Sequence, residues 1–410
     1  MTASHAGDAP RNAWQLAISR DFGTFFVARL ATAVGTWLFS VTAMVAAFEA
    51  SQSALLVGVV SAVQFTPQIV FAPLAGSWTD RGSVKLQLIL GRSLVSAGAL
   101  ALAAWYWIDP PGGTGETAAI VCASLLFGMG LVIGGPALQT AGPELVSRAE
   151  LPAAMSLSTA PMTVGRIAGP ALGAVAAAWV GYDFAFAVAG ALSVVFIVLV
   201  AMLRFPRIHD RRTPSTFSMR EAFRFLAHDR PALLCLIGVT AVGVGSEPLI
   251  TLAPALVAEL GGDSRTVGAL VAAMGLGAGA AMLVSSALAR RLQQERVVAA
   301  GILVMAAALL ACAVPAVAPW ALVPFAAAGV GFIIAQAALS TILQLRIPPI
   351  LRGRVMALWL IGFVGSRPIG ALLVGAIADL ATVYAAFAAG GAAMLVAATV
   401  CRPSRLRSGG

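Results

Sequence analysis

One carboxylate stands alone deep in the long apolar stretches of this chain. It is Glu247, in Gly243-Val244-Gly245-Ser246-Glu247-Pro248. A carboxyl group removed from water resists ionisation, so it can take up and release a proton near neutral pH as a coupling group. Alternatively it supplies the acceptor that an arginine buried in hydrocarbon requires. Four arginines fall in such stretches: Arg29, Arg92, Arg166 and Arg367. Arg166 and Arg367 lie too deep to reach a membrane surface, so each needs carbonyls, water, a carboxylate or an anionic ligand. They serve either to bond helix interfaces or to contact substrate or a gate. Arg29 heads a polar stripe with Thr32, Thr36 and Ser40, whose spacing of three or four places them on one helical face. Being shallower, it either faces a cavity or extends back to the inner surface, and Arg92 is expected to do the latter. Ser61, Gln64 and Gln68, and likewise Gln336 and Ser340, share helical faces and offer neutral hydrogen bonds, or else pack helices together. Trp37, Met274 and Phe332 supply adaptable apolar surface of the kind that suits a lipophilic ligand. With three deep arginines against one glutamate, a pathway lined by them favours neutral or anionic amphiphiles over lipophilic cations.

The elements that must position these residues are membrane spans. The chain has 410 residues, 60% of them hydrophobic and 10% charged, whereas soluble proteins carry about 25% charged residues. Crossing a bilayer core takes about 20 apolar residues. Twelve stretches qualify: 22–48, 54–77, 86–108, 117–140, 153–180, 184–204, 231–258, 265–289, 297–316, 320–343, 354–378 and 382–401. In hydrocarbon the backbone must satisfy its own hydrogen bonds, so each is read as a helix and the protein as all-α and polytopic.

A net charge of +9 would point to nucleic acid in a soluble protein, but its distribution here speaks of topology instead. Arginine and Lys85 crowd the tails and alternate connections, while the opposite connections hold only Arg265. The positive-inside rule then puts both termini in the cytoplasm. Tyr106, Tyr182 and Tyr384 sit at the other ends of the spans with Trp105, Trp107, Trp179 and Trp320, as an interfacial aromatic belt. The polar stretch from Met1 to Asp21 has no apolar core with a small-residue cleavage site, and the first span is read as the insertion signal. Cys122, Cys235, Cys312 and Cys401 are scattered without a CxxC pair, and His5, His209 and His228 lie outside the spans. Neither a metal site, a disulfide framework nor another cofactor is implied. No phosphate-binding G-x-x-x-x-G-K-[ST] loop supports ATP coupling, and no nucleophile or metal cluster supports an enzyme.

The organisation reads as a cytoplasmic tail (1–21), six spans (22–204), a polar linker (205–230), six further spans (231–402) and a short tail (403–410). The two halves echo one another. Thr32-Ala33-Val34-Gly35 recurs as Thr240-Ala241-Val242-Gly243, and Asp21 maps to Asp229. Later in each half, Met155, Leu157, Arg166 and Gly169 map to Met356, Leu358, Arg367 and Gly370. Parallel halves related by an axis along the bilayer normal describe a common transporter plan, with substrate bound near the midplane between them. Within the linker, the run from Phe217 to Leu226 reads as an amphipathic helix on the membrane surface or as a solvated connection.

At the end of the second span stands Gly76-Ser77-Trp78-Thr79-Asp80-Arg81-Gly82-Ser83-Val84-Lys85. An acidic residue between helix ends, followed by bases, can pair across the half interface in one conformation only and so act as a latch. The segment resembles the loop signature of the major facilitator superfamily, with its second glycine one place early and a single final base. Gly165-Arg166-Ile167-Ala168-Gly169-Pro170-Ala171-Leu172-Gly173 resembles the glycine–proline motif of the superfamily's antiporters. Together with Asp21, Pro143-Glu144-Leu145-Val146-Ser147-Arg148 and Leu351-Arg352-Gly353-Arg354-Val355-Met356, these segments are similar to the branch of 12-span bacterial drug:proton antiporters and siderophore exporters, the transmembrane secretion effector type. That resemblance implies two six-helix bundles and a monomeric secondary transporter of the inner membrane, exporting a small amphiphilic molecule against protons by alternating access. Glu247 would carry the proton. The cavity would be formed by the Arg29, Thr32 and Thr36 face with Gln64, Gln68 and Gln336; Asp80, Arg81 and Lys85 would gate; Arg166, Gly169, Pro170 and Arg367 would serve the interface or a gate. The rival readings are an importer or uniporter on the same fold and a non-transporting membrane scaffold.

Overall fold

The computed structural model describes residues 11, 13–108, 112, 115–147, 149–158, 160–203, 205, 219–315, 318–348 and 351–407. Among these, eleven helices are long and apolar enough to cross a membrane. The fifth predicted span supplies the twelfth crossing, as Leu151–Leu157 followed by Ala160–Trp179. It falls short on apolarity because it carries Arg166, Pro170 and a row of glycines. Among the described residues the chain is therefore the helical membrane protein of twelve crossings that its composition implies. Both ends of the described chain lie on one side, here termed the terminal face.

Helix packing follows the division into halves. In the first, span one (Arg20–Ser51) packs on the fifth and on span six (Tyr182–Met202). Span three (Val84–Ile108) packs on the sixth and on span four (Glu116–Glu144), which also meets span two (Ala54–Arg81). In the second half, span ten (Leu322–Arg346) packs on span eight (Ser264–Arg291) and span nine (Gln294–Cys312), and span nine packs on span twelve (Val383–Val400). Two contacts dominate between the halves: the second span against the eleventh, and the fifth against the eighth.

Close approach depends on glycine. An added Cβ at Gly165 would come within 2.6 Å of the Ala33 backbone, and one at Gly169 within 2.6 Å of the Trp37 Cβ. The motif containing Gly169 and Pro170 thus seals the fifth span against the first within one half. Gly275 brings the eighth span against the backbone of Arg166.

Two spans are broken at mid-depth. The seventh runs as Arg230–Gly245, Glu247–Thr251 and Ala253–Glu259; the eleventh as Arg352–Gly365 and Arg367–Leu380. Each first break falls at a serine, Ser246 or Ser366, two residues before a proline that lacks an N–H to continue the ladder. The Ser246 hydroxyl donates to the Gly243 carbonyl at 2.7 Å, satisfying a backbone oxygen released there. In the linker, the helix Met219–His228 buries Ala222 and Leu226 and docks against spans seven and eleven. Asp229 then caps the seventh span through the Ala232 N–H at 2.9 Å and accepts from Arg346 at 3.1 Å.

Candidate functional site

The two breaks bring opposite charges together. Arg367 Nε donates to Glu247 Oε1 at 2.5 Å, and the carboxylate is fully buried. The other carboxylate oxygen accepts from Thr251 at 3.2 Å and Ser61 at 3.4 Å. Ser61 belongs to the second span, and the Arg367 guanidinium lies 4.1 Å from the ring centroid of Phe65 on that same helix. One ion pair thus joins spans seven and eleven to the opposite half. Three donors around one buried carboxylate are what a charge in hydrocarbon needs to persist.

Beside this pair lies a small central cavity of about 40 Å³, lined among others by Trp37, Arg166, Ser246, Met274, Phe332 and Arg367. The apolar trio read from sequence, Trp37, Met274 and Phe332, meets here. Arg166 sits between two aromatic faces, its guanidinium 5.2 Å from the Trp37 ring and 5.4 Å from Phe332, and its Nε is buried without a hydrogen-bond partner. Arg166 also borders a vestibule of about 310 Å³ with Arg29, Gln139, Met282 and Gln336. These residues occupy the terminal-face halves of their helices, so the vestibule opens towards that face.

At the opposite end the second and eleventh spans are fastened together. Asp379, at the end of the eleventh span, accepts from the Ser53 hydroxyl at 2.6 Å and from the backbone N–H groups of Ala54 and Leu55 at 2.8 and 3.1 Å. It caps the N-terminus of the second span from the other half. Just below, an added Cβ at Gly58 or Gly375 would strike the facing backbone at 2.6 or 2.7 Å.

Other sites read from sequence occupy different places. Gln64 is fully buried, accepting from Ser40 at 2.7 Å and donating to Ser124 at 3.5 Å, a bridge among spans one, two and four. Thr32 is buried with an unpaired hydroxyl, and Thr36 accepts from Arg92 at 3.3 Å. Neither these three nor the half-buried Gln68 lines the two cavities described. Arg92 does not extend to the surface as expected: it is 6% exposed, with its guanidinium 5.5 Å from the Phe196 ring centroid. The Thr36 hydroxyl and that ring hold it among helices, which a single-span reading has no means of seeing. Lys85 donates to the carbonyls of Ala201 and Leu203 at 2.5 and 2.8 Å, closing the end of the sixth span. The side chains of Asp80 and Arg81 lie outside the described residues. No group of three His, Cys, Asp or Glu converges on a metal-sized site among the described residues.

Sequence reasoning offered Glu247 as the acceptor for a buried arginine and left open which one; the structure gives Arg367. A signal was available: Val244-Gly245-Ser246-Glu247-Pro248 recurs as Val364-Gly365-Ser366-Arg367-Pro368, the same break bearing the opposite charge. Asp379 went unremarked because a carboxylate at a span end reads as an ordinary interfacial residue.

Comparison with known proteins adds to this geometry. The family described as transmembrane secretion effector matches residues 13–410. The enterobactin exporter EntS of Citrobacter koseri is 27% identical over 406 residues, covering 94% of this chain and 93% of its own. An uncharacterised MFS-type transporter, y4rN of Sinorhizobium fredii, is 25% identical over 379 residues, covering 87% and 88%. Among solved structures, the nucleoside transporter NupG superposes with a TM-score of 0.75 at 11% identity over 94% of this chain and all of that one. A bacterial homologue of the human lysosomal transporter Spinster, inward-facing and occupied, gives 0.66 at 14% identity over 92% and 93%. At such identities the structural likeness speaks for the fold alone.

Proposed function

Because this chain belongs to the transmembrane secretion effector family of major facilitator transporters, we propose that it exports a small amphiphilic molecule, drug-like or siderophore-like, in exchange for protons. The observation that carries this reading is the Glu247–Arg367 pair: a buried, titratable carboxylate placed beside a central cavity and tied to both halves. Relatives named as exporters support the outward direction. The positive-inside count supports an inner-membrane protein with its terminal face in the cytoplasm. Under this reading the vestibule admits cargo from the cytoplasm while Asp379 and the glycine contacts seal the far side.

The ionised carboxylate holds Arg367 and Ser61 and so draws spans two, seven and eleven together. A proton on Glu247 removes the charge that binds Arg367 and leaves one oxygen as an O–H donor. The helices then lose their tie at mid-depth, and rocking of one half against the other exchanges the open side. Arg29 and Gln336 contact the cargo in the vestibule; Thr32, Thr36, Gln64 and Gln68 shape the first half behind it. Asp80, Arg81 and Lys85 act at the terminal-face gate, and Gly169 with Pro170 keeps the fifth span rigid against the first. One chain suffices for the cycle.

Inverted vesicles carrying the protein test this directly. Addition of substrate is expected to dissipate an imposed pH gradient in the wild type and to have no such effect in Glu247→Gln. Undiminished coupling in the variant would overturn the assignment of the proton to Glu247. Uptake by intact cells that needs no pH gradient would favour an importer or uniporter instead.

A further inference from the structure

Resting on the export reading above, we propose that Arg166 is the anion-recognising centre of the substrate site, and that the cargo is an amphiphile joining an apolar body to an anionic group. The charge balance around the central cavity leads there. Two arginines line it, Arg166 and Arg367, and the nearby carboxylate is already bound to one of them. Among the described residues no carboxylate pairs with Arg166, so one full positive charge is left without a counter-ion at mid-depth.

Its present neighbours do not satisfy it. The faces of Trp37 and Phe332 attract the cation, but a ring face does not replace a hydrogen-bond acceptor for a guanidinium that presents five N–H donors in a planar fork. The buried Nε lacks any partner. A carboxylate, sulfonate or similar anion fits that fork with two parallel hydrogen bonds.

The approach to Arg166 carries the same sign. Arg29 and Arg166 line the vestibule and, among the described residues, no acidic side chain does. The central cavity is large enough for only a few water-sized groups, whereas the vestibule reaches the lower end of the volume usual for small-molecule sites. The cargo therefore sits in the vestibule with its anionic end on Arg166. Met155, Met162 and Met282 there provide polarizable, adaptable contacts for its apolar body. The vestibule is lined by Arg29 and Arg166 from one half and by Met282 and Gln336 from the other, so a cargo held there touches both.

Three matched probes test the proposal on purified protein in nanodiscs, by calorimetric titration without a pH gradient: 1-naphthoate, 1-naphthylmethanol and 1-naphthylmethylammonium. The wild type is expected to bind naphthoate roughly tenfold or more tighter than the ammonium probe, the scale of a charge-assisted hydrogen bond. Arg166→Gln should abolish that preference while retaining the neutral probe, and Arg166→Lys should keep part of it. Equal or tighter binding of the ammonium probe overturns the proposal, as does an unchanged preference in Arg166→Gln. The wild-type comparison needs no variant, so a poorly folding substitution does not shield the proposal. A retained anion preference in a protein that moves no protons overturns the export mechanism and leaves this site standing. Proton-coupled transport of cations alone does the reverse.

Discussion

An anion stays charged in a membrane interior only while donors surround it, and Glu247 meets Arg367, Thr251 and Ser61 from three different helical segments. Removing one member of a buried ion pair leaves the other uncompensated, at a cost of about 3–5 kcal/mol. Glu247→Gln is therefore expected to lose about 3 kcal/mol, the lower end, because Arg367 keeps 12% side-chain exposure and the Phe65 ring. The double variant Glu247→Gln/Arg367→Gln should recover most of that stability in thermal unfolding while remaining uncoupled. A single variant that melts with the wild type would show that the pair contributes nothing to stability. Sequence was enough to single out both residues, since each is a costly charge far from water. It left open which arginine Glu247 meets, because the partners lie on spans separated by three intervening crossings. Arg92 shows the same limit: its distance from a span end suggested the surface, and neighbouring helices supplied Thr36 and Phe196 instead.

At the scale of elements, the contact between spans two and eleven is fastened at one end by a carboxylate that caps a foreign helix. Asp379 satisfies two free N–H groups of the second span and complements the positive end of its dipole. Loss of a helix cap costs about 1 kcal/mol, roughly fivefold in a two-state population. Asp379→Ala is thus expected to shift the protein towards the state open on the face opposite the termini. Spin labels at Leu55 and Leu380 would report it as a longer distance component, and an unaltered distribution would deny the cap a gating role. A second carboxylate ties down the short helix Ala13–Ala17 that precedes the first span. Glu150 accepts from Arg11 Nε at 2.5 Å and from the Ser147 hydroxyl at 2.9 Å, and the Arg11 hydrogen bond holds its carboxyl down at about 2. Because the folded value lies below the usual carboxylate range, the stabilisation is complete at neutral pH and fades as pH falls from about 4.3 towards 2. Hydrogen exchange in residues 13–17, corrected for chemical rate, should stay constant from pH 7 to about 5 and accelerate only below about 4. Acceleration already at pH 6 would place the anchor elsewhere.

Across the whole molecule, the vestibule towards the terminal face and the glycine-tight contact opposite it correspond, on the proposed reading, to one end of a transport cycle. Met282 borders the vestibule and is 38% exposed. A cysteine placed there should react with a membrane-impermeant maleimide in inverted vesicles and remain largely unlabelled in intact cells. The reverse pattern would contradict both the orientation drawn from the basic residues and the open side of the vestibule. The same charge asymmetry predicts that reporters fused to either terminus are found in the cytoplasm. The linker belongs to this scale as well. Its helix Met219–His228 buries Ala222 and Leu226 against the ends of spans seven and eleven, the two broken spans that carry the ion pair.

Sequence alone determined the solvent, the number of crossings, the halves and the residues too polar for their surroundings, because each follows from composition along one span and the thickness of a bilayer. Trp37, Met274 and Phe332 were legible as ligand-suited surface, and they meet at the central cavity. Which polar groups satisfy one another was settled only by tertiary structure. Gln64 and Thr36 share the polar character of Arg29 and Gln336, yet the former two bond to neighbours within their own half and the latter two line the vestibule. The reason is geometric: a helix fixes which residues share a face, but the rotation of that face towards a partner, a cavity or lipid depends on how all the helices pack.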